Sequence, residues 1–336
     1  MTLKRVQPIP NTADELARSP LRRVASDYPG HFEQHGGAVL ATAIDRFAYV
    51  TVQTFHHQFY EHGLRVAYKR TEDVQGAADI QHPAIRACFE KLGIQEGVEL
   101  HHMADFPART GLGSSSSFVV AMLQALHAFR GVFRSAKAVA EEAIDVERRI
   151  LQEAGGFQDQ ILAAYGGTCL VRFSRRGDFT VSQLPLSRCR IEEMQRHILL
   201  LYTGIERESY VVAKRQIARM DDNHSVLSRM SGLAERGADL LLSGAPLVHF
   251  GALLHEGWEL KKQLSSVTLP EIDTMYETGL EAGAWGGKIL GAGQGGFLLL
   301  FAPPDRHQDI QAAMPDVRMV RVGINAPGSR IIFSSN

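Results

Sequence analysis

The sequence of 336 residues is poor in cysteine and has no long uninterrupted apolar stretch. Its three cysteines, Cys88, Cys169 and Cys189, form no Cys-x-x-Cys pair and show none of the spacings that zinc sites use. This pattern excludes a disulfide framework and favours free thiols in a reducing compartment. No run approaches the roughly 18 consecutive apolar residues of a membrane span, and the first residues lack the apolar core of a signal peptide. We therefore expect a cytoplasmic protein with no membrane partner.

An excess of charge of either sign is also missing. The 36 basic residues and 37 acidic residues give a net charge of -1, so no basic surface for nucleic acid is predicted. Hydrophobic residues make up 45% of the chain, as in ordinary globular proteins. The length favours two domains. A polar segment near residues 185–196 indicates the boundary, giving predicted domains at 1–190 and 191–336.

The pattern of apolar residues predicts an α+β fold with two lobes. Alternation and β-branched residues favour strands, and apolar residues at a 3.6-residue period favour helices. The predicted strands cover residues 38–55, 98–106, 168–174 and 179–184, and the predicted helices cover 117–129 and 136–153. Ser135 is a suitable N-cap for the second of these helices.

A glycine-serine segment, R-T-G-L-G-S-S-S-S-F-V-V at residues 109–120, lies between a predicted strand and a predicted apolar helix. The first amide groups of a helix have no intrahelical acceptor, and glycines allow backbone to approach an anion, so the segment favours phosphate binding. It is not a P-loop, because Gly113 is followed by serine rather than Lys-Ser/Thr, and it is not G-x-G-x-x-G, because residue 116 is serine. The alternative is a serine-rich start of a core helix.

Two carboxylates follow this segment. Glu147 lies on an apolar row of the helix predicted at 136–153, where a carboxylate needs a metal ion or a cationic partner. Mg²⁺ coordination and a buried ion pair with arginine are both compatible with this position. Asp159 follows Gly155 and Gly156 and is a candidate general base, although it is equally suited to the first turn of a helix, where the dipole stabilises an acidic residue.

Three segments together resemble the motifs of the GHMP small-molecule kinases, a family that includes galactokinase, homoserine kinase and mevalonate kinase. They are P-x-x-T-G-L-G-S-S-S-S, G-G-F-Q-D-Q…Y-G-G and K-I-L-G-A-G-Q-G-G-F (residues 288–297). Within this family they most resemble the D-glycero-D-manno-heptose 7-phosphate kinases. The resemblance implies an N-lobe similar to ribosomal protein S5 domain 2 and a ferredoxin-like C-lobe. It also implies ATP- and Mg²⁺-dependent phosphorylation of the C1 hydroxyl of a heptose 7-phosphate, for nucleotide-heptose and surface polysaccharide synthesis.

The same resemblance implies roles for individual residues. Asp159 would be the catalytic aspartate, Arg22 a basic residue near the nucleophile, and Ser115 with Glu147 the Mg²⁺ ligands. The ATP triphosphate would lie against Gly111, Leu112, Gly113, Ser114, Ser115, Ser116 and Ser117. The sugar phosphate would be bound by Asp27, Tyr28, Gly156, Gln158, Gly291, Gly293, Gly295 and Gly296. Arg207 is a further candidate from its position alone, because it follows a strand predicted at residues 197–202 and substrate-binding loops often lie at strand ends. The small-molecule substrate is the only partner expected, for a monomer or a homodimer.

The segment Ser19–Gly30 departs from the heptose kinase pattern. Related sequences have a glycine triplet before the Asp-Tyr-Pro that is found here at residues 27–29, and this triplet is missing. Three hypotheses follow: a pocket adapted to another sugar, a catalytically silent protein that binds sugar or nucleotide, or an altered segment in an ordinary kinase. Gln294 also occupies a position where glycine is common, and a positive φ there would cost about 1 kcal/mol.

Overall fold

The computed structural model describes residues 12–16, 25–106, 111–205, 223–264 and 267–334, with the backbone alone for 12–16 and residue 25. These ranges form three β-sheets with helices packed on them, which confirms the α+β class predicted from the sequence. No helix within them combines the length and the apolar character needed to cross a lipid bilayer.

The strands of the described residues are short, and many are joined by tight turns. In chain order they are β1 (Thr12–Leu16), β2 (Gly37–Thr42), β3 (Phe47–Thr54), β4 (Leu64–Ala67), β5 (Thr71–Val74), β6 (Val98–Ala104), β7 (Thr168–Phe173), β8 (Phe179–Gln183), β9 (Ile198–Tyr202), β10 (Gly286–Ile289), β11 (Phe297–Phe301), β12 (Arg318–Val320) and β13 (Arg330–Ile331).

The helices of the described residues are mostly α-helical. They are α1 (Pro29–His35), α2 (Pro83–Leu92), α3 (Ser114–Phe129), α4 (Ala136–Ile144), α5 (Gln158–Tyr165), α6 (Arg188–Arg196), α7 (His224–Leu242), α8 (Leu247–Leu264), α9 (Pro270–Glu281) and α10 (His307–Ala313). A π-helical turn, Asp145–Ile150, extends α4, and short 3₁₀ turns occur at Ala25–Asp27, His57–Phe59, Ala77–Asp79 and Pro304–Arg306.

The strands assemble into sheets of six, four and three. The six-stranded sheet has the order β13-β1-β3-β6-β4-β5, in which β4 and β6 are parallel and the other neighbours antiparallel. The four-stranded sheet has the order β10-β11-β9-β12, and the three-stranded sheet has the order β2-β7-β8, both antiparallel throughout. The last strand, β13, therefore returns to the sheet that contains β1, so sequence-distant ends of the chain meet.

Strand conformation predicted at 38–55 is confirmed for most of these residues, but the prediction of a single strand is wrong, because the stretch forms two strands in two different sheets. β2 is buried at five successive residues, since it is covered on both faces, including the face on which α7 packs. β3 instead buries alternate residues, Ala48, Val50 and Val52, as expected for a strand with one face on a core. An isolated bridge between Ile44 and Ile324 lies between the two strands.

Three other predicted boundaries differ from the structure. The helix predicted at 117–129 begins at Ser114, so the four serines form its first turn instead of preceding it. The strand predicted at 98–106 ends at Ala104, and the helix predicted at 136–153 ends its α-helical part at Ile144. The N-cap prediction is confirmed, because the Ser135 side chain accepts a hydrogen bond from the amide of Ala138 at 3.2 Å.

The glycine-serine helix lies at the centre of the molecule. α3 packs on β3 and against α5, and its residues from Phe118 to Leu126 are almost all buried in one apolar cluster with the six-stranded sheet. A second apolar cluster contains Leu112, from the loop before α3, and Leu290 and Phe297, from the hairpin of β10 and β11. These shared contacts place two of the motifs found in the sequence side by side.

Candidate active site

The loop before α3 has the geometry of an anion site. Gly111 and Gly113 have φ angles of 79° and 72°, a conformation that other residues rarely adopt. Gly113 begins α3, and both the amide and the hydroxyl of Ser117 donate to its carbonyl oxygen at 3.0 Å. Because the first amide groups of a helix lack intrahelical acceptors and the dipole is positive at this end, residues 114–116 offer donors to an anion.

Glu147 is connected directly to this loop. Its side chain is 1% exposed, and its Oε2 accepts a hydrogen bond from the Ser116 hydroxyl at 2.9 Å. The Gln160 amide donates to the same oxygen, and Arg148 Nη2 lies 3.3 Å from it. Burial raises the pKa of Glu147, while Arg148 and the two hydrogen-bond donors oppose this rise. The burial predicted from the sequence is therefore confirmed.

The π-helical turn explains how Glu147 reaches the loop. A π-helical turn contains one residue more than the α-helical turn it replaces, which changes the direction of the following side chains and often occurs at functional sites. Here Glu147 and Arg148 are adjacent in sequence, and both are largely buried, at 1% and 15% side-chain exposure. Adjacent residues of a regular α-helix point about 100° apart. The turn brings both charges to the same side of the site.

Arg148 holds the glycine turn that follows. Its Nη1 donates to the carbonyl of Glu153 at 3.0 Å, and its Nη2 donates to the carbonyl of Gly156 at 3.1 Å. A Cβ atom on Gly155 would lie 2.9 Å from Arg148 Nη2, so the guanidinium packs closely on the turn. This arginine links Glu147 to the segment that leads into α5.

Asp159 lies in the first turn of α5 and is partly exposed. Gln158, immediately before it, is buried, and neither the nitrogen nor the oxygen of its side-chain amide has a hydrogen-bond partner among the described residues. Asp27 approaches the same turn. Its carboxylate Oδ2 accepts a hydrogen bond from the backbone amide of Gln158 at 3.3 Å, and its backbone carbonyl accepts one from the backbone amide of Phe157 at 3.2 Å. The structure thus brings together four residues of the predicted site, Asp27, Gly156, Gln158 and Asp159.

Tyr28 has a different environment. Its side chain is 1% exposed and packs in an apolar cluster with Leu227 and Met230 of α7 and Leu253 and Leu260 of α8. In the described structure this tyrosine is a packing residue that joins the N-terminal segment to two C-terminal helices. The Asp-Tyr-Pro motif, from which Tyr28 was predicted to contact the substrate, does not indicate this packing against distant helices.

The glycine loop between β10 and β11 is tightly constrained by its neighbours. Gly291, Gly293, Gly295 and Gly296 all have positive φ, as does Gln294 at 59°, which confirms the conformation considered for this glutamine. A Cβ atom would lie 2.3 Å from the Val267 carbonyl oxygen at Gly293, and 2.4 Å from the Ile205 carbonyl oxygen at Gly295.

Lys261 supports this glycine loop from α8. Its side chain is 2% exposed, and Nζ donates to the Gly291 carbonyl at 3.0 Å. The loop is therefore held at both ends by backbone contacts and at Gly291 by a buried lysine.

The buried carboxylate offers a suitable ligand for a divalent cation. Glu147 Oε1 is buried and has no hydrogen-bond partner within the described ranges, which is the arrangement expected of a carboxylate that completes its contacts with a ligand. Ser116, rather than Ser115, contacts Glu147, and Ser115 is exposed. The residues present fit Mg²⁺. The ion pair with Arg148 uses the other carboxylate oxygen, Oε2, and is therefore compatible with a metal ion at Oε1.

Two predicted site residues, Arg22 and Arg207, lie outside the described residues. Sequence reasoning did not identify the roles of Arg148 and Gln160, although both stand next to residues that it singled out. Gln160 was visible as part of the polar triplet 158–160, and its contact with Glu147 gives that triplet a second function besides presenting Asp159.

Comparison with known proteins identifies both halves of the chain. The model of the GHMP kinases N terminal domain matches residues 79–167, and that of the GHMP kinases C terminal domain matches residues 246–317. The first matched range contains Glu147, Asp159 and residues 111–117, the phosphate-type loop. The second contains Lys261 and the glycine loop at residues 291–296.

Individual relatives are distant. A D-glycero-alpha-D-manno-heptose 7-phosphate kinase of Campylobacter jejuni is 28% identical over 218 residues, 64% of this chain and 64% of that protein. An L-fucokinase/L-fucose-1-P guanylyltransferase of Bacteroides fragilis is 29% identical over 246 residues, 70% of this chain and 25% of that protein. The matched part of the chain thus spans less than two thirds of either relative.

A solved structure shares the whole fold. The crystal structure of a D-glycero-D-manno-heptose 1-phosphate kinase from Bacteroides thetaiotaomicron superposes with a TM-score of 0.75 and 21% identity, covering 96% of this chain and 99% of that one. At this identity the likeness shows a common fold. Both domain models match in the order of the family, so the chain contains the N-terminal and C-terminal domains of the GHMP kinases.

Proposed function

We propose that this protein is an ATP- and Mg²⁺-dependent kinase that phosphorylates a hydroxyl group of a sugar phosphate. The observation that carries the proposal is the hydrogen bond between Ser116, at the amino end of α3, and the buried carboxylate of Glu147. This contact supports the proposal because the amino end of a helix favours anions and a buried carboxylate is suited to Mg²⁺, and transfer of a phosphoryl group from a nucleotide requires both.

The residues have distinct roles in this proposal. The amide groups of residues 111–116 bind the phosphates, and Glu147 with Ser115 or Ser116 binds Mg²⁺. When bound, the cation neutralises the charge that develops on the phosphate oxygens. Asp159 accepts or attracts the proton of the attacking hydroxyl, and Arg22 supplies positive charge near it. The glycine loop at 291–296 closes the site on the opposite side.

We propose a heptose 7-phosphate as the substrate and its C1 hydroxyl as the acceptor. The likeness to the heptose 7-phosphate kinase of Campylobacter jejuni and the motif G-G-F-Q-D-Q support this choice. The product would serve the synthesis of nucleotide-activated heptose. The buried amide of Gln158, whose nitrogen and oxygen have no partner in the described residues, is suited to hydrogen-bond a sugar hydroxyl.

A second candidate is a protein that binds sugar or nucleotide without turnover, or that acts on another sugar. The missing glycine triplet between Arg22 and Asp27 favours it, because this segment leads directly to Asp27, which contacts the start of α5. The fucokinase likeness also supports a different sugar.

The deciding experiment measures ADP release from Mg²⁺-ATP with a panel of free and phosphorylated hexoses and heptoses. We expect D-glycero-D-manno-heptose 7-phosphate to stimulate release, and Asp159→Ala to lower kcat by roughly 10²–10⁴-fold while ATP affinity is retained. Asp178→Asn, in the exposed turn between β7 and β8, is the matched control and keeps wild-type activity. Nucleotide binding without turnover of any panel member would reject the kinase proposal in favour of the second candidate.

A further inference from the structure

Asp27 makes two backbone contacts with the start of α5. Its carboxylate accepts a hydrogen bond from the Gln158 amide across 131 positions of sequence, and its carbonyl accepts one from the Phe157 amide. The Asp27 side chain is completely buried. A buried carboxylate is stabilised by a hydrogen bond from a backbone amide, so this contact ties the Asp27 side chain to the protein itself.

α5 has no side-chain cap from its own sequence. Phe157 occupies its N-cap position and makes no capping hydrogen bond. An acidic group at the amino end of a helix satisfies amide donors and interacts favourably with the helix dipole. Asp27 therefore supplies from another part of the chain what Phe157 does not.

Gly156 provides the space for this contact. A Cβ atom at Gly156 would lie 1.8 Å from Asp27 Oδ2 and 2.2 Å from its Cγ, and the three nearest atoms all belong to the Asp27 carboxylate. The φ angle of Gly156 is not positive, so the backbone itself would accept another residue. Gly155 differs, because the nearest atoms to a Cβ there belong to the Arg148 guanidinium, at 2.9–3.2 Å.

From these contacts we propose that Asp27 is a positioning residue that fixes the first turn of α5 and thereby the orientation of Asp159. The inference rests on the proposed kinase function for its catalytic consequence. It gives Asp27 a role through the protein, in place of the direct sugar contact that the sequence resemblance implied.

A double-mutant cycle tests this role. Asp27→Ala and Gly156→Ala are each expected to accelerate hydrogen exchange of the α5 amides in the protein without substrate. With Mg²⁺-ATP and D-glycero-D-manno-heptose 7-phosphate, each should lower kcat by about 10- to 100-fold with little change in the sugar KM, since a displacement near 1 Å suffices for such a loss. The double variant should be no worse than either single variant, because removing the carboxylate removes the collision with the new methyl group.

Conservative variants sharpen the test. Asp27→Asn keeps an oxygen that can accept from the Gln158 amide, and it should restore most of the kcat and the exchange protection lost in Asp27→Ala. Gly155→Ala is the matched glycine control, and its effects should add to those of Asp27→Ala because it meets Arg148 instead. An increased sugar KM with unchanged α5 exchange in Asp27→Ala would overturn the proposal, as would additive effects of Asp27→Ala and Gly156→Ala.

The exchange measurement separates this proposal from the proposed function. If wild type turns over no sugar on the panel, the kinase proposal fails, while the cycle of Asp27 and Gly156 can still be read from α5 exchange alone. Wild-type turnover combined with an additive cycle would reject the positioning role and leave the kinase proposal intact.

Discussion

The hydrogen bond from Ser116 to Glu147 allows a quantitative test of how the phosphate-type loop is built. Ser116→Ala removes a donor at 2.9 Å from a carboxylate that is 1% exposed, and the serine itself is 4% exposed. A buried hydrogen bond to a charged acceptor contributes about 1.5–3 kcal/mol. Because Gln160 and Arg148 still donate to the same oxygen, we expect the lower part of this range, a loss of about 1.5–2 kcal/mol in the free energy of unfolding.

Ser115→Ala is the matched control for this measurement. Ser115 is the neighbouring residue in the same helical turn but is exposed. Its replacement should change the free energy of unfolding by no more than about 0.5 kcal/mol, as for most surface positions. Both variants are compared by equilibrium denaturation without divalent cations. Equal stabilities for the two variants would refute the structural role assigned to the Ser116 hydroxyl.

A Mg²⁺ titration of ADP release then separates stability from metal binding. If Ser115 is the ligand implied by the sequence resemblance, Ser115→Ala raises the Mg²⁺ concentration needed for half-maximal activity without lowering stability. If the metal is bound by Ser116 beside Glu147, the Mg²⁺ requirement and the stability change together in Ser116→Ala. An unchanged requirement in both variants would remove the serine hydroxyls from the metal site.

Two further predictions concern glycine geometry and pH. Gly293→Ala should destabilise the protein by roughly 2 kcal/mol or more in equilibrium denaturation, because it combines a positive φ with a Cβ atom 2.3 Å from the Val267 carbonyl oxygen. The control Gly244→Ala, with a φ of +73° but no atom within 4 Å of the new Cβ, should cost only about 1 kcal/mol. Equal losses of stability in the two variants would contradict the role of the collision. Burial, with two neighbouring histidines, lowers the pKa of His31 from 6.5 to about 4. The unfolded chain therefore takes up a proton first, and stability is lost as pH falls from 6.5 towards 4. His31→Gln should make the free energy of unfolding less dependent on pH in this window, and parallel curves for the variant and the wild type would contradict this contribution of His31.

Local sequence patterns predicted those parts of the fold that depend on local physical chemistry. β7 and β8 were visible because β-branched and apolar residues flank a polar turn, and Ser135 was visible as a helix cap. The prediction of one strand at 38–55 was wrong because β2 is buried continuously and β3 alternately. The linker between them is too short for this change of period to be visible in the sequence. Which sheet each strand joins depends on partners far along the chain, and one sequence does not contain that pairing.

The candidate site shows the same division between local and distant information. The inward direction of Glu147 follows from the apolar row around it, and both alternatives considered for it are compatible with the structure, since an arginine contacts one carboxylate oxygen while the other is directed to no described partner. The π-helical turn that allows this was not visible, because a period of 3.6 residues describes α4 well up to Ile144. Asp27 and Gly156 could not have been paired from sequence, since a glycine before a helix has many explanations and the carboxylate that requires it comes from a distant segment.

The contacts around α5 connect features that the sequence presented as separate motifs. Ser116 reaches Glu147, Glu147 is bound by Gln160 of α5, and Arg148 holds the turn that leads into α5. Asp27, at the end of this chain of contacts, accepts a hydrogen bond from the first residue of the same helix. We expect a change at any of these positions to alter the turn that carries Asp159, because each side chain is largely buried and connected to the next by a hydrogen bond. Substitutions in the phosphate-type loop should therefore affect the proposed base even where they do not touch the nucleotide, so variants of this loop need to be compared through kcat as well as through ATP affinity.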